Sequence, residues 1–314
     1  MHLLFILTFT AALLASLPVS AQPAPKPVHQ LRIQLIITAN DEEVPDATQA
    51  ILFKDYVEAI RPVYSPIGVE LLFDPATDAR AIASNNLNND FPVRDGQTIR
   101  LPNAENPHHK SRQAIADQTP NRIVVFLRNG ACCGKGFGAA NFGTIQAPYL
   151  VLMGPLQKMP PRPGPSTTAN IAAHELGHYF GLSHTFGHYA LEPEDLVKFI
   201  QSRPGNPSDA EIYALFDGDR LADTPPDPGA TLFEKMHGLK PYQCGPQETI
   251  EIAVPIGNKT KTYTFKPDRL NIMSYFFRCP QLPQRRLSTQ QGKIIRDHLE
   301  KGARRHLLAA NRKP

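Results

Sequence analysis

His174-Glu175-Leu176-Gly177-His178-Tyr179-Phe180-Gly181-Leu182-Ser183-His184 is the stretch on which the reading of this chain turns. His174 and His178 are four residues apart, so on an α-helix both imidazoles project from one face within reach of a single ion. Glu175 stands at the rim of that face, where a carboxylate can hydrogen-bond a water on the metal instead of ligating the metal itself. If the helix ran on, His184 would lie about 9 Å further along the axis than His178, too far to share the ion. Gly181 resolves this, because a residue free to take positive φ can end the helix and swing the chain back. Three neutral His and one open position make a catalytic zinc site, not the closed four-ligand site of a structural one. His188, four residues beyond His184, is read as a surface or neighbouring residue and not as a ligand.

The pattern outside this stretch is that of an α/β protein of the α+β kind, with a mixed twisted sheet. Leu31 to Ile37 alternates and then turns fully apolar, which predicts a strand entering a buried sheet. Asp46 is expected to cap an amphipathic helix with apolar positions at Ile51, Leu52, Tyr56, Val57 and Ile60, which Pro62 stops. Val69 to Phe73 is a second strand, and Ile123 to Leu127 a central one. The Asn-, Asp- and Pro-rich segment 75–120 reads as a long surface excursion. Gly130 to Gly143 suits an irregular edge strand, and Tyr149 to Met153 another short strand. The helix bearing His174 begins near Ser166 or Thr167. Beyond residue 185 only short helices, near 193–202 and 208–216, precede a final amphipathic helix from Ser288 to about Leu308. These elements place an N-terminal lobe at 29–184 and a C-terminal lobe, poor in regular structure, at 185–314.

The chain of 314 residues has 33 Lys and Arg against 29 Asp and Glu, a net charge of +4 and 41% apolar residues. That composition is ample for a core and argues against a disordered tail protein or a dedicated nucleic-acid binder. Leu3 to Leu17 is an apolar run followed by Val19-Ser20-Ala21, so residues 1–21 read as a cleaved signal peptide and the product as secreted or periplasmic. The run is too short to span a bilayer, and no later segment is long and apolar enough to be transmembrane. The basic residues Arg285, Arg286, Arg296, Lys301, Arg304, Arg305, Arg312 and Lys313 read as a solvated face of an exported protein. Asn258-Lys259-Thr260 fits a glycosylation sequon.

The eleven-residue stretch, together with Asn271-Ile272-Met273-Ser274-Tyr275 downstream, resembles the signature and Met-turn of metzincin metallopeptidases. Within that group His184-Thr185-Phe186, Gly218-Asp219-Arg220-Leu221-Ala222-Asp223-Thr224-Pro225 and the Met-turn resemble the pappalysin family. The resemblance is specific for about 166–186, 217–226 and 270–291. It implies a zincin-like fold, zinc on His174, His178 and His184, Glu175 as general base, and Met273 as an apolar floor. Tyr275 is then the hydroxyl that steadies the tetrahedral intermediate. Relatives often bind Ca²⁺ in the region where Asp217, Asp219, Asp223 and Asp227 stand, although such acidic residues are more commonly solvated or capping. Relatives also carry Cys at places comparable to Cys244 and Cys279, which makes these the first disulfide pairing. Cys132-Cys133 leaves open a vicinal disulfide, two free thiols, crossed pairing, or a thiolate latch on zinc.

These residues imply a zinc-dependent endopeptidase whose protein or peptide substrate lies extended along the Gly-rich edge near 136–142. Two alternatives stand beside it, a zinc hydrolase of a non-peptide amide and a catalytically silent zinc-containing binding module. The intact Glu175 argues against the silent module, because a purely structural site needs no general base. Residues 275–285 and the excursion 77–120 are expected to shape the substrate pocket, and neither announces a preferred side chain.

Overall fold

Strand β1 (His29–Ala39) runs through the middle of the protein. Its first residues alternate buried and exposed, and from Ile33 onward every residue is buried, as the change from alternating to fully apolar sequence predicts. The computed structural model describes residues 29–89, 107–129, 143–156, 158, 167–187, 194, 197–198, 201–202, 208–239, 245–256, 258–279 and 284–311.

β1 pairs in parallel with β2 (Val69–Leu72), β3 (Ala79–Ala83) and β4 (Arg122–Arg128), and β4 pairs in parallel with β5 (Tyr149–Met153). Short strands β2 and β3 share one edge of β1, at registers His29↔Val69 and Leu35↔Ala79. Among the described residues this sheet is therefore parallel throughout, not mixed as expected; of the expected edge strand 130–143 only Gly143 is described. Alternate residues feed opposite faces. Ile33, Leu35, Ile37, Val125, Leu150 and Leu152 pack with helices α1 (Gln49–Tyr64) and α4 (Thr167–Tyr179). Ile36, Val124, Phe126, Tyr149 and Val151 face Leu87 of α2 (Asn85–Asn88) and Ala116 of α3 (Pro107–Asp117). Helices on both faces bury β4, β5 and β1 from Ile33 onward, which explains why these stretches are nearly continuous in apolar residues.

Several expectations change. The excursion is not all irregular, since 79–83 is strand β3 and 85–88 and 107–117 are helices. Asp78 makes β3 possible: its side chain is fully buried and receives Arg32, Arg122 and the Asp74 N–H, while its carbonyl accepts the Leu35 N–H. Burial alone would raise the Asp78 carboxyl, but Arg122, the Asp74 N–H and Arg32 outweigh it and hold the group low. Helix α1 passes through Pro62, which forgoes the N–H bond to the turn before it, and ends two residues later at Tyr64. Thr48 is the N-cap residue, and Asp46 instead accepts the Thr48 N–H in the turn before it.

The second half of the chain is also more regular than expected. Antiparallel strands β6 (Ile250–Ile256) and β7 (Lys259–Phe265) form a hairpin with Asn258 of the sequon at its turn. Ile212, Phe216, Leu232, Phe233, Ile252, Val254, Tyr263 and Phe276 build a separate core around it. The helix at 209–215 forms as expected, with a capping box between Ser208 and Glu211, and a further short helix spans Ala230–Met236. Half of 193–202 lies outside the described residues, and 194, 197, 198 and 201 are helical. The final helix starts after its N-cap Ser288 but stops at Glu300, with a 3₁₀ turn at Arg305–Asn311 beyond it. Ile272, Met273, Phe277, Ile295 and Leu299 enter the first core, so residues from both sides of position 184 share it.

Two of the supposed surface arginines are interior ties. Arg285 is 1% exposed and donates to the carbonyls of Phe276 and Cys279. Arg304 is 3% exposed, lies over the Tyr179 ring and donates to the carbonyls of Tyr179, Thr144 and Ala147. It thereby supplies a cation and donors to the C-terminal end of α4, where helix carbonyls lack partners. No helix among the described residues is long and apolar enough to cross a membrane. The proposed leader and Cys132, Cys133 and Cys244 lie outside the described residues. Cys279 is buried in the second core and disulfide-bonded.

Candidate metal centre

Helix α4 buries Ala169, Ala172, Ala173, Leu176 and Tyr179 and turns His174, Glu175 and His178 towards a cavity. Its last turn closes as the sequence predicts. Gly181 has φ of +92°, its N–H bonds the His178 carbonyl, and the Leu182 N–H bonds the Gly177 carbonyl. These two bonds form the Schellman pattern that glycine favours in the left-handed region. The reversal also sets the ligands. It directs the Leu182 carbonyl onto His178 Nδ1 at 2.7 Å and returns the chain so that His184 faces His174.

The three Nε2 atoms lie 3.0, 2.9 and 3.2 Å apart. His174 Nδ1 donates to the Ile272 carbonyl at 2.8 Å, as His178 Nδ1 does to Leu182. With those ring N–H groups occupied, the neutral rings present lone pairs on Nε2, and such lone pairs repel at 3 Å unless a cation lies among them. Protonation is an unfavourable answer. Burial lowers His174 well below its ordinary value, lowers His178, and brings His184 down to about 3, with the neighbouring His178 and Arg278 charges adding to the last. Three nitrogens at zinc-ligand distance in a tetrahedral arrangement stand about 3.3 Å apart, close to the observed triangle. The residues therefore fit a metal ion, and among the described residues this is the one group of three or more His, Cys, Asp or Glu that does.

A cavity of about 300 Å³ opens onto the triad and is lined also by Ile171, Glu175, Tyr275, Phe277 and Arg278. Burial pushes the Glu175 carboxyl up to about 7, against the Gly143 N–H and the charge of Arg278. Tyr275 lies beside the ligands, its ring 5.0 Å from that of His184 and 5.7 Å from that of His174. Met273 is fully buried beneath α4, so close to Gly177 that a Cβ there would collide with its sulfur. Its role is packing.

The acidic loop does not gather into a cation site. Asp219 accepts from Thr224 Oγ1, the Leu221 N–H and Gln291 Nε2, and Asp223 accepts from Ser288 Oγ and the Gln290 N–H. Asp217 accepts the Arg220 N–H. Asp227 is 1% exposed and joins Thr185, Ser274 and the Gly229 N–H at 2.6 to 2.8 Å. Asp227 thus ties the residue after His184 to the residue before Tyr275. Sequence reading assigned it only a share in a possible calcium site, because its two hydroxyl partners lie 42 and 47 residues away.

Arg278 and Phe277 were not singled out as cavity residues. The only available signal was their place in the 275–285 segment. His188 and the Gly-rich edge 136–142 lie outside the described residues. Neither the family models nor the curated protein sequences compared with this chain match it.

Proposed function

We propose that this chain is an exported zinc-dependent metalloendopeptidase with a zincin-like fold, resembling the pappalysin metzincins in the motif residues of 166–186, 217–226 and 270–291. One observation carries the proposal: three converging imidazoles, a carboxyl with a raised pKa and a tyrosine share one cavity. His174, His178 and His184 would hold the zinc. When bound, the ion supplies Lewis acidity, lowering the pKa of a water towards about 7 and polarising a carbonyl.

The chain's own residues supply the remaining steps. Glu175, poised near neutrality by burial, takes a proton from the attacking water and returns it to the leaving amine. The Gly143 N–H holds its carboxylate in place. Tyr275 offers its hydroxyl to the oxyanion that develops as the carbonyl is attacked. The Ile272 and Leu182 carbonyls keep His174 and His178 in the tautomer that presents Nε2.

Proteomic profiling of new protein termini, with zinc-loaded mature protein against its Glu175→Ala variant, tests this reading. The wild type should generate cleavage sites that the variant does not. Equal cleavage by both would remove Glu175 from its role, and no cleavage by either would favour the non-peptide amide hydrolase or the binding module.

A further inference from the structure

The peptidase chemistry leaves Arg278 without a task, although it lines the same cavity as Glu175 and the triad. Arg278 closes the 3₁₀ turn Tyr275–Arg278, and both ends of that turn are fixed. At one end Ser274 Oγ donates to buried Asp227, and beyond the other the Cys279 carbonyl receives buried Arg285 at 2.6 Å. The guanidinium lies 4.6 Å from the centre of the Tyr275 ring and 5.6 Å from that of Phe277. A guanidinium laid on aromatic faces loses little further freedom on binding, and its edge donors match the two oxygens of a carboxylate.

The electrostatics of the cavity favour the same ligand. The neutral His set leaves the charge of a bound divalent ion uncompensated, and among the described residues of the lining Glu175 is the single acidic one, beside the cation Arg278. An incoming anion meets a positive cavity, and an incoming cation is repelled.

We propose that Arg278 selects substrates bearing a carboxylate next to the scissile bond, either an Asp or Glu side chain or, were the enzyme to act as a carboxypeptidase instead of an endopeptidase, the peptide's own C-terminal group. The proposal rests on the peptidase reading and specifies its substrate class.

The test is a set of blocked Ala/Gly-based peptides with Glu, Gln or Lys at each position in turn, plus a free-acid and amide pair at the C-terminus. With zinc-loaded wild type, kcat/KM for one Glu position should exceed that of its Gln counterpart by about tenfold, the factor expected for one charge-assisted contact. If the C-terminal group is the source, the free acid should show that advantage over the amide instead. The ratio should fall to near one in Arg278→Gln, recover in part in Arg278→Lys, and turn towards Lys in Arg278→Glu. Ratios that are the same in wild type and all three variants would overturn the proposal. If no peptide is cleaved, the peptidase reading fails by itself. Calorimetric binding of the same peptides to zinc-loaded wild type and Arg278→Gln then decides: carboxylate-dependent binding lost in the variant supports the assignment, and its absence overturns it.

Discussion

Glu175 lies where a carboxylate is expensive to ionise, and that cost has a measurable sign. Its proton is held to about 7 in the folded protein, against an ordinary value of 4.5, so between those pH values the folded state binds more protons than the unfolded one. The stability it contributes is present below pH 4.5 and is lost as pH rises through 7. Glu175→Gln removes that loss. In metal-free protein the variant's stability gain over wild type should grow from near zero at pH 4.5 to a plateau above pH 7, with a ceiling of about 3 kcal/mol. Denaturant titrations at the two pH values would measure it, and a gain independent of pH would contradict the burial of this carboxyl. At this scale the sequence is legible for the ligands, because four-residue spacing and one glycine are local rules. It places Arg278 only within the pocket-shaping segment 275–285, because its entry into the cavity depends on a 3₁₀ turn anchored by Asp227 and Arg285 from elsewhere in the chain.

The element that makes three histidines one site is the C-terminal turn of α4. A side chain at Gly181 would strain a backbone with φ of +92° and bring its Cβ within 2.8 Å of His298 Nε2. Gly181→Ala should therefore destabilise the protein by at least about 1 to 2 kcal/mol. It should also weaken zinc binding about tenfold or more, measured by competition with a chromophoric chelator, because the same turn aims the Leu182 carbonyl at His178. Unchanged zinc affinity would show that the turn does not set the ligand geometry. Other elements were less legible for physical reasons. β3 reads Ala79-Arg80-Ala81-Ile82-Ala83, in which Ile82 is the single β-branched residue and no aromatic marks a strand, and its pairing follows from the buried Asp78 contacts. In β6 the alternation of Ile250, Ile252 and Val254 is a readable strand signal, but Pro255 argues against it and is accommodated only beside the hairpin turn.

Across the whole molecule, the parallel sheet sets the floor on which α4 rests. The C-terminal segments close over that floor through Met273, Ile295, Leu299 and Arg304. The boundary expected at residue 184 describes the chain's order well and its core poorly, since residues that meet in space from opposite ends of a sequence leave no periodic trace. A site assembled from both sides of that boundary should couple metal binding to global stability. At a free zinc concentration one hundred times the Kd, binding adds about 2.7 kcal/mol, which in a protein of this size raises Tm by roughly 4 °C. Calorimetry before and after chelation should show that fall, with recovery on adding zinc back. A Tm indifferent to chelation and to zinc would mean that the triad holds no ion in the folded protein.

The central claim, that these residues form a zinc-dependent hydrolytic centre with Glu175 as its base, is tested most directly by kcat/KM on one cleaved peptide for wild type and Glu175→Ala at equal, measured zinc content. The account predicts one zinc per chain in both proteins and a loss in the variant of about 10²- to 10⁴-fold. Activity within a few fold of wild type in zinc-loaded Glu175→Ala would contradict it.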